Sequence, residues 1–189
     1  MKSDGYQYGI FDWNGPNYHT AVYSMQGTGT RFILKFFKHH GNPIWHRHVT
    51  RPIAEPEERV IVPVRNPIDC LRTWKRNRYN FTDEEFIAKW GEYILKTANK
   101  DAFYFPLDIA ENRRVLLLTH AIQFIGVEPK KDFIRQYAKD WAPVGAGDGS
   151  DVELEQSTID ALDFAVAWYR HYTEHYGPHL QATKLGDRP

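Results

Sequence analysis

The chain reads as an α/β protein, a three-layer fold with a central parallel sheet flanked by helices. Three observations predict this. Strand-like segments alternate with segments of helical periodicity along most of the chain. Residues Arg59 to Val64, RVIVPV, form a dense β-branched run of the kind buried on both faces of a parallel sheet. Residues His19 to His40, HTAVYSMQGTGTRFILKFFKHH, pass from an alternating strand through a glycine-bearing turn into a helix. At 189 residues the chain has room for one substantial core, so a single domain is expected over residues 1–177, with 178–189 as a flexible tail.

Each element has a local reason. Tyr6 to Trp13 is a candidate edge strand, joined by the turn Asn14-Gly15-Pro16-Asn17 to the strand His19 to Ser24. Gly27 and Gly29 allow a tight turn and close approach of the backbone to a ligand. From Thr30, the apolar residues Phe32, Ile33, Phe36 and Phe37 recur at helical spacing until Gly41-Asn42-Pro43 ends the helix. Ile44 to His48 is a second short strand, and the proline-rich Arg51 to Glu58 is loop. After RVIVPV, Asn66 is a helix cap, Pro67 suits the first turn and Asp69 complements the helix dipole. Thr82-x-x-Glu85 is a capping box for a helix running to about Asn99. Ala102 to Pro106 is a short aromatic strand. Helices follow from Glu111 to Ile125, ended by Gly126, and over Pro129 to Asp140. Gly145 to Asp151 is an exposed loop. Ser157-x-x-Asp160 opens a last helix whose apolar face includes Leu162, Ala165, Val166 and Tyr169.

The totals narrow the function. The 42% hydrophobic and 25% charged fractions are those of a globular protein, and Lys plus Arg balances Asp plus Glu at 24 each. The overall field therefore offers no attraction to nucleic acid or an anionic membrane, and any anion site must be local. Cys70 is the sole cysteine, which excludes an intrachain disulfide and a thiolate-rich zinc site. No apolar run reaches the length of a membrane span, and the polar start MKSDGYQYG is not that of a signal peptide. A cytoplasmic location is the expectation.

The segment around Gly27 and Gly29 has the form of a phosphate-binding loop. The helix beginning at Thr30 would turn its unpaired N–H groups and its positive dipole end toward the turn, and both favour an anion. The nucleoside-triphosphate pattern G-x-x-x-x-G-K-[ST] is absent, because Gly29 is followed by Thr30 and Arg31. Arg65 stands at the end of a strand and the mouth of a helix, on the edge where open α/β sheets bind ligands. The run Arg72, Lys75, Arg76 and Arg78, with Trp74 and Tyr79, reads first as a solvated helix end and second as a surface for an anionic acceptor or a nucleic-acid backbone. His39, His40, His46 and His48 lack an evident carboxylate or thiolate partner, so no metal site is expected.

Taken together, these residues resemble the sulfotransferase family. Gly27-Thr28-Gly29-Thr30-Arg31 is similar to the loop that binds the 5′-phosphosulfate of 3′-phosphoadenosine 5′-phosphosulfate (PAPS). Val60 to Asp69, VIVPVRNPID, resembles the strand and R-N-P-x-D turn that hold the 3′-phosphate, and Thr73 stands where that motif carries a serine. Phe103 to Ile109, followed by a helix ending Phe124-Ile125-Gly126-Val127, is similar to the family's late strand, acidic turn and helix end. The resemblance implies a P-loop-like sulfotransferase fold and transfer of a sulfonyl group from PAPS to a hydroxyl or amine of a small-molecule or carbohydrate acceptor, without a metal. It also implies a cofactor site for PAPS, or its product PAP, made from Gly27, Thr28, Gly29, Thr30, Arg31, Arg65 and Thr73.

His46-Arg47-His48 stands where the cytosolic branch of the family carries its catalytic histidine. It aligns His48 with that base, with His46 the second candidate, and an imidazole titrates near neutral pH. The family's loop lysine is replaced here by Gly27, so another cation would have to stabilise the leaving oxygen. Arg47 and Arg51 are the first candidates. Two other readings stand beside this one. One is a magnesium-dependent P-loop phosphotransferase. The other is a non-catalytic module that binds the 3′-phosphonucleotide and has lost the loop lysine.

Overall fold

The computed structural model describes residues 20–25, 27–48, 59–77, 81–98, 102–142 and 152–174, apart from the side chains of Trp45, Arg47 and His48. The expected edge strand at Tyr6 to Trp13, the loop at Gly145 to Asp151, Arg51, Arg78 and the expected tail lie outside these residues.

Among the described residues, four strands form one parallel sheet: β1 (Thr20–Ser24), β2 (Trp45–His48), β3 (Arg59–Val64) and β4 (Ala102–Pro106), in the order β2-β1-β3-β4. The alternation of side chains along each strand divides the core in two. Val22, Ile61, Phe103 and Phe105 point to one face. There they meet Phe32, Ile33, Phe36 and Phe37 of α1 (Thr30–His40), with Leu117, Leu118, Ala121 and Ile122 of α4 (Arg114–Phe124) and Ile134 of α5 (Lys131–Lys139). Tyr23, Val60, Val62 and Tyr104 point to the other face. They are covered by Cys70 and Trp74 of α2 (Pro67–Arg76), by Phe86, Trp90 and Tyr93 of α3 (Asp83–Ala98), and by Ala165 of α7 (Asp163–Glu174). The expected α/β layering, with helices on both faces of a parallel sheet, is what the structure has. Because both faces are covered, β3 and β4 carry near-continuous apolar runs.

The helix ends follow local chemistry. The Asn66 side chain accepts from the Ile68 N–H at 3.0 Å, a cap that contributes about 1 kcal/mol. The Thr82–Glu85 capping box is reciprocal, with bonds of 2.9 and 3.2 Å. Gly41, at φ 91°, ends α1 by donating its N–H to carbonyls of the last turn.

Two boundaries differ from expectation. The helix expected at Glu111 begins as a 3-10 turn, Glu111–Arg113, before α4. The last helix is two: α6 (Gln156–Ala161) and α7, separated at Leu162. Ser157 is therefore inside α6 rather than its cap, a place taken by Glu155. The physical reason is Leu162. It is fully buried in the second core, and the chain turns there through short-range bonds from Leu162 N–H to Ile159 and from Ala165 N–H to Leu162. Thr158 then ties α6 to α3 by donating to Asp83 at 3.0 Å.

Candidate functional site

Because the strands are parallel, their carboxyl ends share one edge. Ser24, the loop residues Met25 and Gly27 to Gly29, His48, Arg65 and Leu107 all belong to it. From β1 the chain leaves to α1 on one face. From its neighbour β3 it leaves to α2 on the other. Adjacent strands whose connections diverge in this way leave a crevice between them, the usual ligand position in open α/β sheets.

Pro63 shapes the floor of that crevice. The β1–β3 ladder stops at Val22–Ile61, whereas β3–β4 continues to Val64–Pro106. Pro63 has no N–H with which to carry the first ladder on. The carbonyls of Tyr23 and Pro63 instead both accept from the Tyr93 hydroxyl, at 3.2 and 2.8 Å. Burial holds that phenol well above its ordinary pKa, so it remains a donor.

The loop sits above. Gly27 and Gly29 have φ of 87° and 77°, a left-handed backbone open to glycine. A Cβ on Gly29 would lie 2.2 Å from Leu107 Cδ1, so the loop rests directly on the residue that follows β4. The Leu107 N–H in turn bonds to Val64 O at 2.9 Å. The first turn of α1 carries no acidic residue, which leaves its dipole uncompensated by a carboxylate.

Arg65 joins the two motifs. Its side chain is buried, with the residue 4% exposed, and its Nη1 donates to Gly27 O at 2.7 Å. Cys70 donates weakly to the same oxygen at 3.6 Å, and burial pushes its thiol up to about 12, so it stays protonated. Asp69 lies in the same region. Its pKa is raised by burial, against the pull of the Arg65 charge and with a further push from Asp108. Asp108 is hydrogen-bonded to Tyr169, whose phenol is pushed up to about 12, first by burial and then by the Asp108 charge.

The hydroxyls expected to serve a phosphate are engaged locally. Thr28 is fully buried and donates to Met25 O at 2.6 Å, while its N–H bonds to the same carbonyl at 3.4 Å. Thr73 donates to Asp69 O at 2.7 Å, one helical turn back. Thr30 is half-buried, and Arg31 is exposed on the outer side of α1. His46 lies at the same edge, its Nε2 2.9 Å from the Oγ of fully buried Ser24. His48 is placed by register opposite Ser24, and Arg47 opposite Tyr23. Among the described residues the structure thus brings together the loop, Arg65 and Thr73's helix on one side of β1, with His46 on the other.

Sequence reasoning missed Ser24, Cys70, Tyr93 and Leu107. Ser24 had one signal, its place as the last residue of a strand feeding the loop. The others meet the site only through tertiary packing. No protein-family model matches the chain, and neither a curated protein nor a solved structure does.

Proposed function

We propose that this protein is a sulfotransferase-like enzyme that binds PAPS in the crevice between β1 and β3 and delivers its sulfonyl group to a hydroxyl or amine acceptor. The observation that carries the reading is the 2.7 Å bond from Arg65 to Gly27, which seats the R-N-P-x-D turn against the glycine loop at the switch point of the sheet. A buried guanidinium beside an uncapped helix start suits a ligand with two anionic groups. Its planar fork can hold the loop carbonyl and a phosphate together.

The residues fit a 3′-phosphonucleotide in these terms. Gly29 has no side chain to fill the cradle over Leu107, and Arg65 supplies the cation for the 3′-phosphate. The Thr28 hydroxyl would have to turn from Met25 O to donate to the 5′-phosphosulfate, and that of Thr73 from Asp69 O to donate to the 3′-phosphate. PAPS supplies an activated sulfonyl group. The protein's part is to hold the phosphate groups through the loop N–H groups and Arg65, and to take the acceptor's proton on a histidine of β2. By the family resemblance His48 is the first candidate base and His46, whose Nε2 lies 2.9 Å from Ser24 Oγ, the second.

One observation favours the non-catalytic reading. Gly27 has positive φ, and a Cβ there would meet the Trp74 indole at 3.4 Å, so the loop is built around glycine where the family carries its catalytic lysine. Calorimetric titration with adenosine 3′,5′-bisphosphate, with and without magnesium, beside ATP, tests the site. Saturable binding that needs no magnesium and is lost in Arg65→Ala is expected. ATP binding only with magnesium would replace this reading with a phosphotransferase. Turnover of PAPS with hydroxyl and amine acceptors then separates enzyme from binding module.

A further inference from the structure

The Gly27 carbonyl points toward Arg65 and Cys70, two buried side chains, and so toward the interior rather than the mouth of the crevice. A trans peptide carries its N–H opposite its C=O, and on that far side the Thr28 N–H bonds to Met25 O at a long 3.4 Å, so the same orientation is held weakly from there too. Turning this peptide over would rotate ψ of Gly27 and φ of Thr28, and Gly27, at φ 87° and without a side chain, is the member of the pair that tolerates the change. A carbonyl turned into the cradle would repel an anion. Of the two bonds that hold the inward orientation, the shorter and charge-assisted one is that from Arg65, at 2.7 Å from the end of β3.

We propose that Arg65 is a positioning residue for the glycine loop: by holding the Gly27 carbonyl inward it sets the polarity of the cradle, in addition to serving as a phosphate ligand. The inference rests on the proposed function for the identity of the anion, but not for the loop's order. Its consequence is specific. Arg65 matters for a nucleotide that has no 3′-phosphate to touch it.

The test compares the full chain with Arg65→Met and Arg65→Lys, using adenosine 3′,5′-bisphosphate and adenosine 5′-phosphosulfate as probes. Hydrogen exchange of the ligand-free proteins is followed at the amides of residues 27–31, with β4 and α4 as internal controls. Arg65→Met is expected to speed loop exchange and to weaken adenosine 5′-phosphosulfate about tenfold, while the control amides keep their protection. Arg65→Lys, which keeps the charge and one donor direction, restores part of both. If Arg65→Met weakens only the bisphosphate and leaves loop exchange unchanged, Arg65 serves the 3′-phosphate alone and the proposal is overturned. Should Arg65→Met fail to fold, the lysine variant decides by the same comparison. If neither nucleotide binds the unaltered protein, the proposed function fails, while the ligand-free exchange data still decide the positioning role.

Discussion

A Cβ added to Gly29 would sit 2.2 Å from Leu107, on a residue held at φ 77°, whereas one added to Gly91 within α3 would meet nothing within 4 Å. The two glycines should therefore respond to alanine in opposite directions. Gly29→Ala is expected to cost about 1–3 kcal/mol, from left-handed strain and displacement of Leu107. Gly91→Ala is expected to add about 0.4–1 kcal/mol by reducing the freedom of the unfolded chain and improving helix propensity. Urea unfolding of both variants checks the pair, and a destabilised Gly91→Ala would show that the outer side of α3 is not open. The same geometry bears on restoring a lysine at position 27. That substitution meets positive φ and the Trp74 indole, so a loss of activity there would report on the loop's shape as much as on the missing cation. At this scale the sequence was legible where chemistry is local: Gly27, Gly29, Asn66 and the Thr82–Glu85 box all stand as expected. It was silent where a residue's partner lies far along the chain, as for Tyr93 with Tyr23 and Pro63, or Ser24 with His46.

Helix α1 is held at both ends. Its start carries the loop, and its end is fixed by His40, which is fully buried and accepts the Lys130 N–H at Nε2, at 3.1 Å. Lys130 Nζ donates to the His40 carbonyl at 2.6 Å. A protonated imidazole could not accept that N–H and would face the Lys130 ammonium, so burial first and Lys130 second lower the His40 pKa. The unfolded chain therefore binds this proton more tightly than the folded one. The contribution to stability is complete above the unfolded value of 6.5 and is lost as pH falls from there toward the folded pKa. Stability measured by urea unfolding should fall as pH is lowered below the unfolded value of 6.5, and His40→Gln should flatten that dependence. An unchanged slope in His40→Gln would assign it to other groups, His120 among them, whose pKa burial also lowers. Across the sheet, α3 reaches the strand gap through one hydroxyl. Tyr93→Phe leaves two buried carbonyls without that donor, at an expected cost of about 1–3 kcal/mol with the aromatic packing kept. A double-mutant comparison with Thr97→Val, whose hydroxyl bonds to Tyr93 O at 3.0 Å on the same helix, separates the hydroxyl's role from general damage to α3.

At the scale of the whole molecule, periodicity disclosed the alternation of strands and helices, and β-branched density marked β3 as doubly covered. The order β2-β1-β3-β4 could not be read in that way, because parallel partners meet across long stretches of chain and pairing leaves no local mark. The break at Leu162 was hidden for a related reason. Its apolar spacing continues the helical pattern, and only burial against the second core shows that the chain turns there. The contact between Arg65 and Gly27 was the least legible of all, since each motif reads as sufficient by itself. The strand order has one more consequence, in the life of the chain before it is folded. β1 lies between two strands that both follow it in sequence, so a ribosome exposes it first and completes its second neighbour only with residues 59–64. During that interval one whole edge of the most buried strand is bare, with its N–H and C=O groups open to any other extended chain. The step that closes the crevice is thus also the step that covers that edge of β1 and passes the open edge outward to β3, until β4 pairs with it.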